Sequence, residues 1–234
     1  MLTVTNLPSR PAPMLARTVS SLSTLSGGRI VLGLGAGFLW DEIVTLGVHR
    51  LEPGAAVHAV EEAITLIRAL CGGGEPVTFD GVRYQVSGVA PAAEPAPPIW
   101  TGAVGQRALA VTGSRADGWV PSRGSYWLCP LYRQSRPIID QAAAAAGRDP
   151  AAVVTVYNFG GRITAEPLPA TRDGDGRWIG GSAAQWIGEL VRAVVEHQAG
   201  GFFYRGKDDT SPAVALQRWA EEVVPAVRAA VATA

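Results

Sequence analysis

At 234 residues the chain has the length of a single α/β domain, and a hydrophobic fraction of 47% supplies a sizeable core. Its 20 basic and 20 acidic residues cancel, and the basic ones are scattered singly, which argues against a nucleic-acid or membrane-surface partner. No apolar run approaches the roughly 20 residues that span a bilayer, no signal peptide precedes the first strand, and two isolated cysteines, Cys71 and Cys129, fit packed thiols in a cytoplasmic protein better than a disulfide or redox pair.

Residues 2 to 6 read as a β-branched strand that begins almost at Met1. Leu15, Val19, Leu22 and Leu25 follow helical spacing, and Gly27-Gly28 stops that helix. Ile30 to Leu34 is a continuous apolar strand of the kind covered on both faces. Val57, Val60, Ile64 and Ile67 mark a helix stopped by Gly72 to Gly74. Residues 77 to 86 break the alternation, because Asp80-Gly81 between β-formers signals a hairpin outside the main sheet.

A strand at 98–101 follows, then a helix from Gly105 to Val111, a strand at 118–120, a helix through Ile138 to Ala146 and a strand at 153–157. Residues 160 to 180 read as a long loop, and long loops in compact domains are usually functional or disordered. Ser182-Ala-Ala-Gln185 is a capping box for a helix that buries Trp186, Leu190, Val191 and Val194. A strand at 202–204 and a helix over 216–231, kinked at Pro225, complete the order.

Strict strand–helix alternation predicts a parallel sheet wrapped by helices in one domain, residues 1–234. A doubly wound sheet and a (β/α)8 barrel both satisfy it. About six units are present, two short of a barrel, and the length is below the roughly 250 residues typical of that fold.

Gly33, Gly35 and Gly37 first suggest a dinucleotide loop. A Rossmann fingerprint needs its third glycine where Phe38 stands, and Phe-Leu-Trp-Asp-Glu offers no small first turn for pyrophosphate. A nicotinamide dehydrogenase is therefore the disfavoured reading. His49, His58 and His197 lack metal-ligand spacing, so no metal site is predicted. Ser182 is a helix cap, not a nucleophile. Trp40, Trp119, Tyr126 and Trp127 suit either an apolar substrate pocket or core packing, and Arg123 and Arg205 suit an anionic group. Asp41 and Glu42 fit a helix start better than acid–base work.

The segments VTNLPSR, TLSGGRIVLGLGAGFLWDEIVTLG, PPIWTGAVGQRAL, ADGWVPS and GGSAAQWIGELVRAVVEHQAGGFFY, taken in order, resemble the luciferase-like flavin-dependent monooxygenases and reductases. The branch they most resemble is that of the methylenetetrahydromethanopterin reductases, which use coenzyme F420. The resemblance implies a TIM barrel that lacks its first two βα units, with the hairpin near residues 77–86 as the family's insertion. It therefore also implies a chain that is N-terminally incomplete, or else a reduced barrel.

The resemblance further implies a cofactor, F420 or FMN, at the C-terminal ends of the strands. The ring would rest on a non-proline cis peptide at Thr3–Val4, facing Val4, Thr5 and Asn6, with Gly35, Ala36 and Gly37 as a small-residue floor. Ala36 stands where bacterial luciferases carry a phosphate-binding arginine. The phosphate is instead expected at Thr101, Gly102, Ala103, Val104, Gly105 and Gln106, where a strand runs through small residues into a helix N-terminus. Pro121, Ser122, Asn158 and Arg205 are the remaining strand ends. The implied activity is hydride transfer or oxygen activation on a small organic substrate by a homodimer. A non-catalytic flavin-binding reduced barrel is the alternative. The catalytic acid–base residue is unassigned, since relatives draw it from the absent second strand.

Overall fold

The computed structural model describes residues 2–121, 127–206 and 211–233. Two compact units emerge, Met1–Trp119 with Ser135–Val153, and Val120–Gln134 with Val154–Ala234.

In the first unit β1 (Leu2–Asn6), β2 (Leu32–Gly35), β5 (Ile99–Thr101) and β6 (Gly118–Trp119) pair in that order, all parallel. Parallel neighbours require crossovers, supplied by α1 (Ala12–Ser26), α3 (Pro53–Ala69) and α4 (Gln106–Arg115), with a short α2 (Trp40–Thr45) after β2. Leu15, Ala16 and Val19 of α1 and Val60, Ala63, Ile64 and Ile67 of α3 form one buried cluster with Leu32, Leu34 and Ile99. Leu25, expected on the buried face of α1, is exposed instead: the helix is ending there, and Ser23 takes the inward position. Gly27 closes α1 in the left-handed region at φ 63°, its N–H donating to the Ser23 carbonyl.

The hairpin β3 (Val77–Asp80) and β4 (Gln85–Val89) forms its own two-stranded antiparallel sheet. Its turn is longer than the Asp-Gly signal implied: Asp80 pairs with Gln85, leaving four residues in the loop. Gly81 is needed for a different reason. A Cβ there would lie 2.6 Å from Glu62 Oε2. The buried Glu62 carboxylate of α3 accepts the Val82 N–H at 2.7 Å, Arg83 N–H at 2.9 Å and Tyr84 N–H at 3.1 Å, and His58 Nε2 lies 3.1 Å away. One carboxylate thus pins the hairpin tip to the helix.

Helix α5 (Pro130–Ala145) starts two turns earlier than its periodicity suggested and carries Pro137 within it. From Ser135 onward it belongs to the first unit. There Gly113 of α4 leaves room for the Ile139 carbonyl, which any Cβ would strike.

In the second unit β7 (Val154–Thr164) lies between β8 (Gly180–Ser182) and β9 (Ala199–Gly206), both parallel to it. Strand β7 is twice its predicted length. Gly160 and Gly161 look like loop residues in sequence, but they pair with Arg205 and Gly206. Gly161 is small because Gly180 and the Trp186 ring approach within 3.0 Å of where its Cβ would be. Residues 165 to 179 are a loop, as expected, tied down at a few points. Asp173 Oδ1 accepts two backbone N–H groups, Arg172 bridges Trp178 and pairs with Glu189, and Trp178 is buried edge-on against Trp186 at 5.1 Å.

Helix α6 (Ala183–His197) carries the predicted capping box, with Ser182 and Gln185 bonding reciprocally. Its Trp186 donates to the Arg162 carbonyl at 3.0 Å and contacts Phe159, Trp178, Tyr204 and Trp219. The last helix is divided into α7 (Pro212–Arg218) and α8 (Val224–Ala232) by a π turn over Trp219–Val223. Pro225 lacks the N–H to continue a regular ladder, so the strain falls one turn upstream.

Burial alone would raise the Glu62 carboxyl pKa; the hairpin N–H groups and His58 outweigh it and hold the group below its ordinary 4.5. A folded-state pKa below the unfolded one stabilises at neutral pH, and that contribution is lost as pH falls from about 4.5 through the folded value. Glu62→Gln is expected to cost about 1–3 kcal/mol in urea unfolding, with amide exchange speeding up first at Val82, Arg83 and Tyr84.

Candidate functional site

Parallel register gathers the strand ends of the first unit. Asn6 pairs with Gly35, Leu34 with Thr101, and Thr101 with Trp119. Val4 is exposed, while Thr5, Asn6, Gly35, Ala36 and Gly37 are half-buried. A Cβ at Gly35 would lie 3.0 Å from Val4 Cγ2, and one at Gly37 would meet the Trp40 ring at 2.8 Å and Pro8 at 3.3 Å. Gly37 also has φ 110°, a value that favours glycine. The small-residue run therefore accommodates Val4 and Trp40 at the strand end. Leu39 caps α2 in the left-handed region at φ 59°, and Phe38 beside it is 77% exposed. Asp41 and Glu42 occupy the first turn of α2, with Asp41 paired to Arg50.

This arrangement removes the dinucleotide reading. The glycines open no long helix, since α2 has six residues and an apolar cap. The strand order of the first unit runs β1-β2-β5-β6 without reversal, so it contains no switch-point crevice.

The segment after β5 has a different character. Thr101 is buried, its hydroxyl 2.6 Å from that of Thr112. Thr112 already donates to the Ala108 carbonyl, so Thr101 is the donor to Thr112. Gly102 N–H reaches the Leu34 carbonyl at 3.3 Å, and the Ala103 carbonyl accepts the Trp119 indole N–H at 2.8 Å. Gly105 is the N-cap of α4, in an extended conformation with no side chain to cap the helix. Its carbonyl accepts the Leu109 N–H. Among the described residues, the backbone N–H groups from Ala103 to Ala108 have no protein acceptor. Six consecutive donors are thus left over, four of them at a helix N-terminus, where the dipole favours negative charge. Val104, Gly105 and Gln106 are exposed. Arg107 lays its guanidinium within 3.0 Å of a Cβ built on Gly54.

The other predicted positions are more dispersed. Pro121 is buried two residues beyond β6 and belongs to the second unit. Asn158 is not a strand end, because β7 continues to Thr164. Arg205 is exposed near the end of β9. Ser122, Arg123 and Tyr126 lie outside the described residues. Trp119 and Trp127 are buried, and Trp127 packs against Tyr157 and Phe159 while donating to Glu189. Among the described residues no three His, Cys, Asp or Glu side chains converge on one point.

A cavity of about 300 Å³ lined by Arg68, Arg115 and Arg148 lies at the C-terminal ends of α3 and α4, away from the strand ends. Arg68 is bonded to Asp117, and Arg148 to the Gly113 and Ala116 carbonyls. These cations complement helix C-termini. The indole bond to Ala103 leaves no trace in the sequence beyond a tryptophan in a short strand.

Gly37→Ala is expected to lower stability by about 1–3 kcal/mol, because it combines a left-handed φ with a ring contact. Gly105→Ala, with nothing within 4 Å of the new methyl, is expected to change it by less than about 0.5 kcal/mol. Thermal unfolding of the two variants side by side checks the contrast.

The sequence profile of the luciferase-like monooxygenases matches residues 1–216. The F420-dependent glucose-6-phosphate dehydrogenase of Microbacterium testaceum (strain StLB037) is 33% identical over 138 residues, which are 58% of this chain and 40% of that protein. The chain thus spans well under half the length of this curated relative. Among solved structures, the coenzyme F420-dependent tetrahydromethanopterin reductase from Methanopyrus kandleri superposes with a TM-score of 0.76 at 16% identity, covering 95% of this chain and 81% of that one. Riboflavin lyase, solved with modified FMN and riboflavin, superposes at 0.76 and 12% identity, covering 97% and 69%. These likenesses establish the parallel β/α fold of the luciferase-like barrel enzymes. With the family profile running through nearly its whole length, the chain belongs to the luciferase-like monooxygenase family.

Proposed function

We propose that the chain is an oxidoreductase of this family that binds coenzyme F420 or FMN and acts on a small organic substrate. The observation that carries this reading is the row of unpartnered N–H groups from Ala103 to Ala108 at the uncapped start of α4. That cradle fits a phosphate, the group that both cofactors carry. Thr101, Gly102, Ala103, Val104, Gly105 and Gln106 would hold it, and Val4, Thr5, Asn6, Gly35, Ala36 and Gly37 would lie along the rest of the molecule. When bound, the cofactor supplies hydride transfer or oxygen activation.

The protein's part is to bind, orient and exclude water. The N–H row fixes the anionic end through backbone geometry, and the buried Thr101–Thr112 pair keeps that backbone from shifting. Phe38, Leu39 and Val104 present apolar surface at the strand ends, suited to shielding a planar ring. No described helix is long and apolar enough to cross a membrane, and both cysteines are free and buried. We place the protein in the cytoplasm as a homodimer, a state that sedimentation measures.

Fluorescence titration with F420 and FMN tests the reading, with Gly105→Asp as the decisive variant. An aspartate N-cap would satisfy the first-turn donors from within the chain. Stability should stay level or rise by up to about 1 kcal/mol, while cofactor affinity collapses. A variant that binds as tightly as the parent, or a parent that binds neither cofactor below the millimolar range, contradicts the proposal.

A further inference from the structure

We infer that Trp119 is a positioning residue for the anion cradle, acting through the carbonyl of Ala103. Register places Trp119 directly beside Thr101 on the neighbouring parallel strand, at the point where β5 gives way to the loop. Its ring is 1% exposed, and its indole N–H donates to the Ala103 carbonyl at 2.8 Å. Gly118, just before it, must be glycine, because a Cβ there would lie 2.6 Å from the Trp100 ring. Strand β6 is thereby held close against β5, and the indole has a fixed origin.

The peptide unit is planar and trans, with its C=O and N–H on opposite edges. Fixing the Ala103 carbonyl toward the buried indole therefore turns the Val104 N–H away from the core, to the side where Val104 is 52% exposed. Without the indole donor, the 103–104 peptide loses what holds its carbonyl inward. It can then rotate to present an oxygen to the anion in place of a donor. A buried tryptophan that touches no ligand would thus decide whether the cradle offers donors throughout. Thr101 and Gly102 are tied separately, to Thr112 and Leu34, so within this loop the indole bond bears on the peptide that follows Ala103.

This inference rests on the proposed phosphate site, and paired ligands separate the two claims. FMN is compared with riboflavin, and F420 with its phosphate-free deazaflavin chromophore, by fluorescence titration of the parent and of Trp119→Phe. The parent should favour the phosphate-bearing member of a pair. Trp119→Phe should weaken that member by about tenfold or more, the loss of one charge-assisted bond, and leave the phosphate-free member unchanged. Equal weakening of both members, or of neither, overturns the role of Trp119. A parent that does not distinguish the members of either pair removes the phosphate site itself.

If Trp119→Phe does not fold, the parent still decides. Polarisation along the bonded chain should move the Trp119 indole N–H resonance downfield when inorganic phosphate binds. A resonance unmoved at saturating phosphate overturns the inference.

Discussion

Everything proposed for this chain depends on a helix that begins without a cap. The first N–H groups of any helix lack intrahelical acceptors, and proteins usually satisfy them with a serine, threonine or aspartate side chain. Helix α6 does so through Ser182 and Gln185. Helix α4 does not: Gly105 stands at its N-cap, and the donors from Ala103 to Ala108 are left to whatever arrives from outside the protein. An uncapped start costs stability in the absence of a ligand and recovers it on binding, so apparent stability and anion affinity are linked.

Neighbouring contacts in the first unit hold that start in place. The β5–β6 register puts Trp119 beside Thr101, and the pair of threonines closes the base of the loop. Gly113 lets α5 approach the back of α4 through the Ile139 carbonyl. Farther off, Glu62 gathers three hairpin N–H groups. That carboxylate offers an internal version of the same physics, since a negative group satisfies a row of backbone donors. The hairpin row is filled by the chain itself, and the row at the start of α4 is open.

Much of this was legible in sequence, and the exceptions share a cause. The parallel β/α order, the capping box at Ser182 and the helix stop at Gly27 follow from local patterns, and the structure keeps them. The exceptions arise where a glycine's backbone freedom is taken as its whole reason. Gly160 and Gly161 suggested a loop but sit in a long strand, because a neighbouring backbone and Trp186 need the space. Gly81 suggested a tight turn but makes room for a carboxylate from another helix. In each case the reason lies in a residue distant in sequence. The proposed site divides similarly. The loop at 101–106 was visible as a strand running through small residues into a helix, whereas the Trp119 lock depends on register between strands and left no local pattern.

The central claim is that the backbone N–H groups at the start of α4 bind an anion. Its most direct test is a titration of the ¹⁵N-labelled chain with inorganic phosphate, following amide resonances. The account predicts saturable downfield shifts concentrated at Ala103 through Ala108, with the capped start of α6 unmoved. Shifts spread over exposed arginines such as Arg68 and Arg115, with Ala103–Ala108 unchanged, would contradict it.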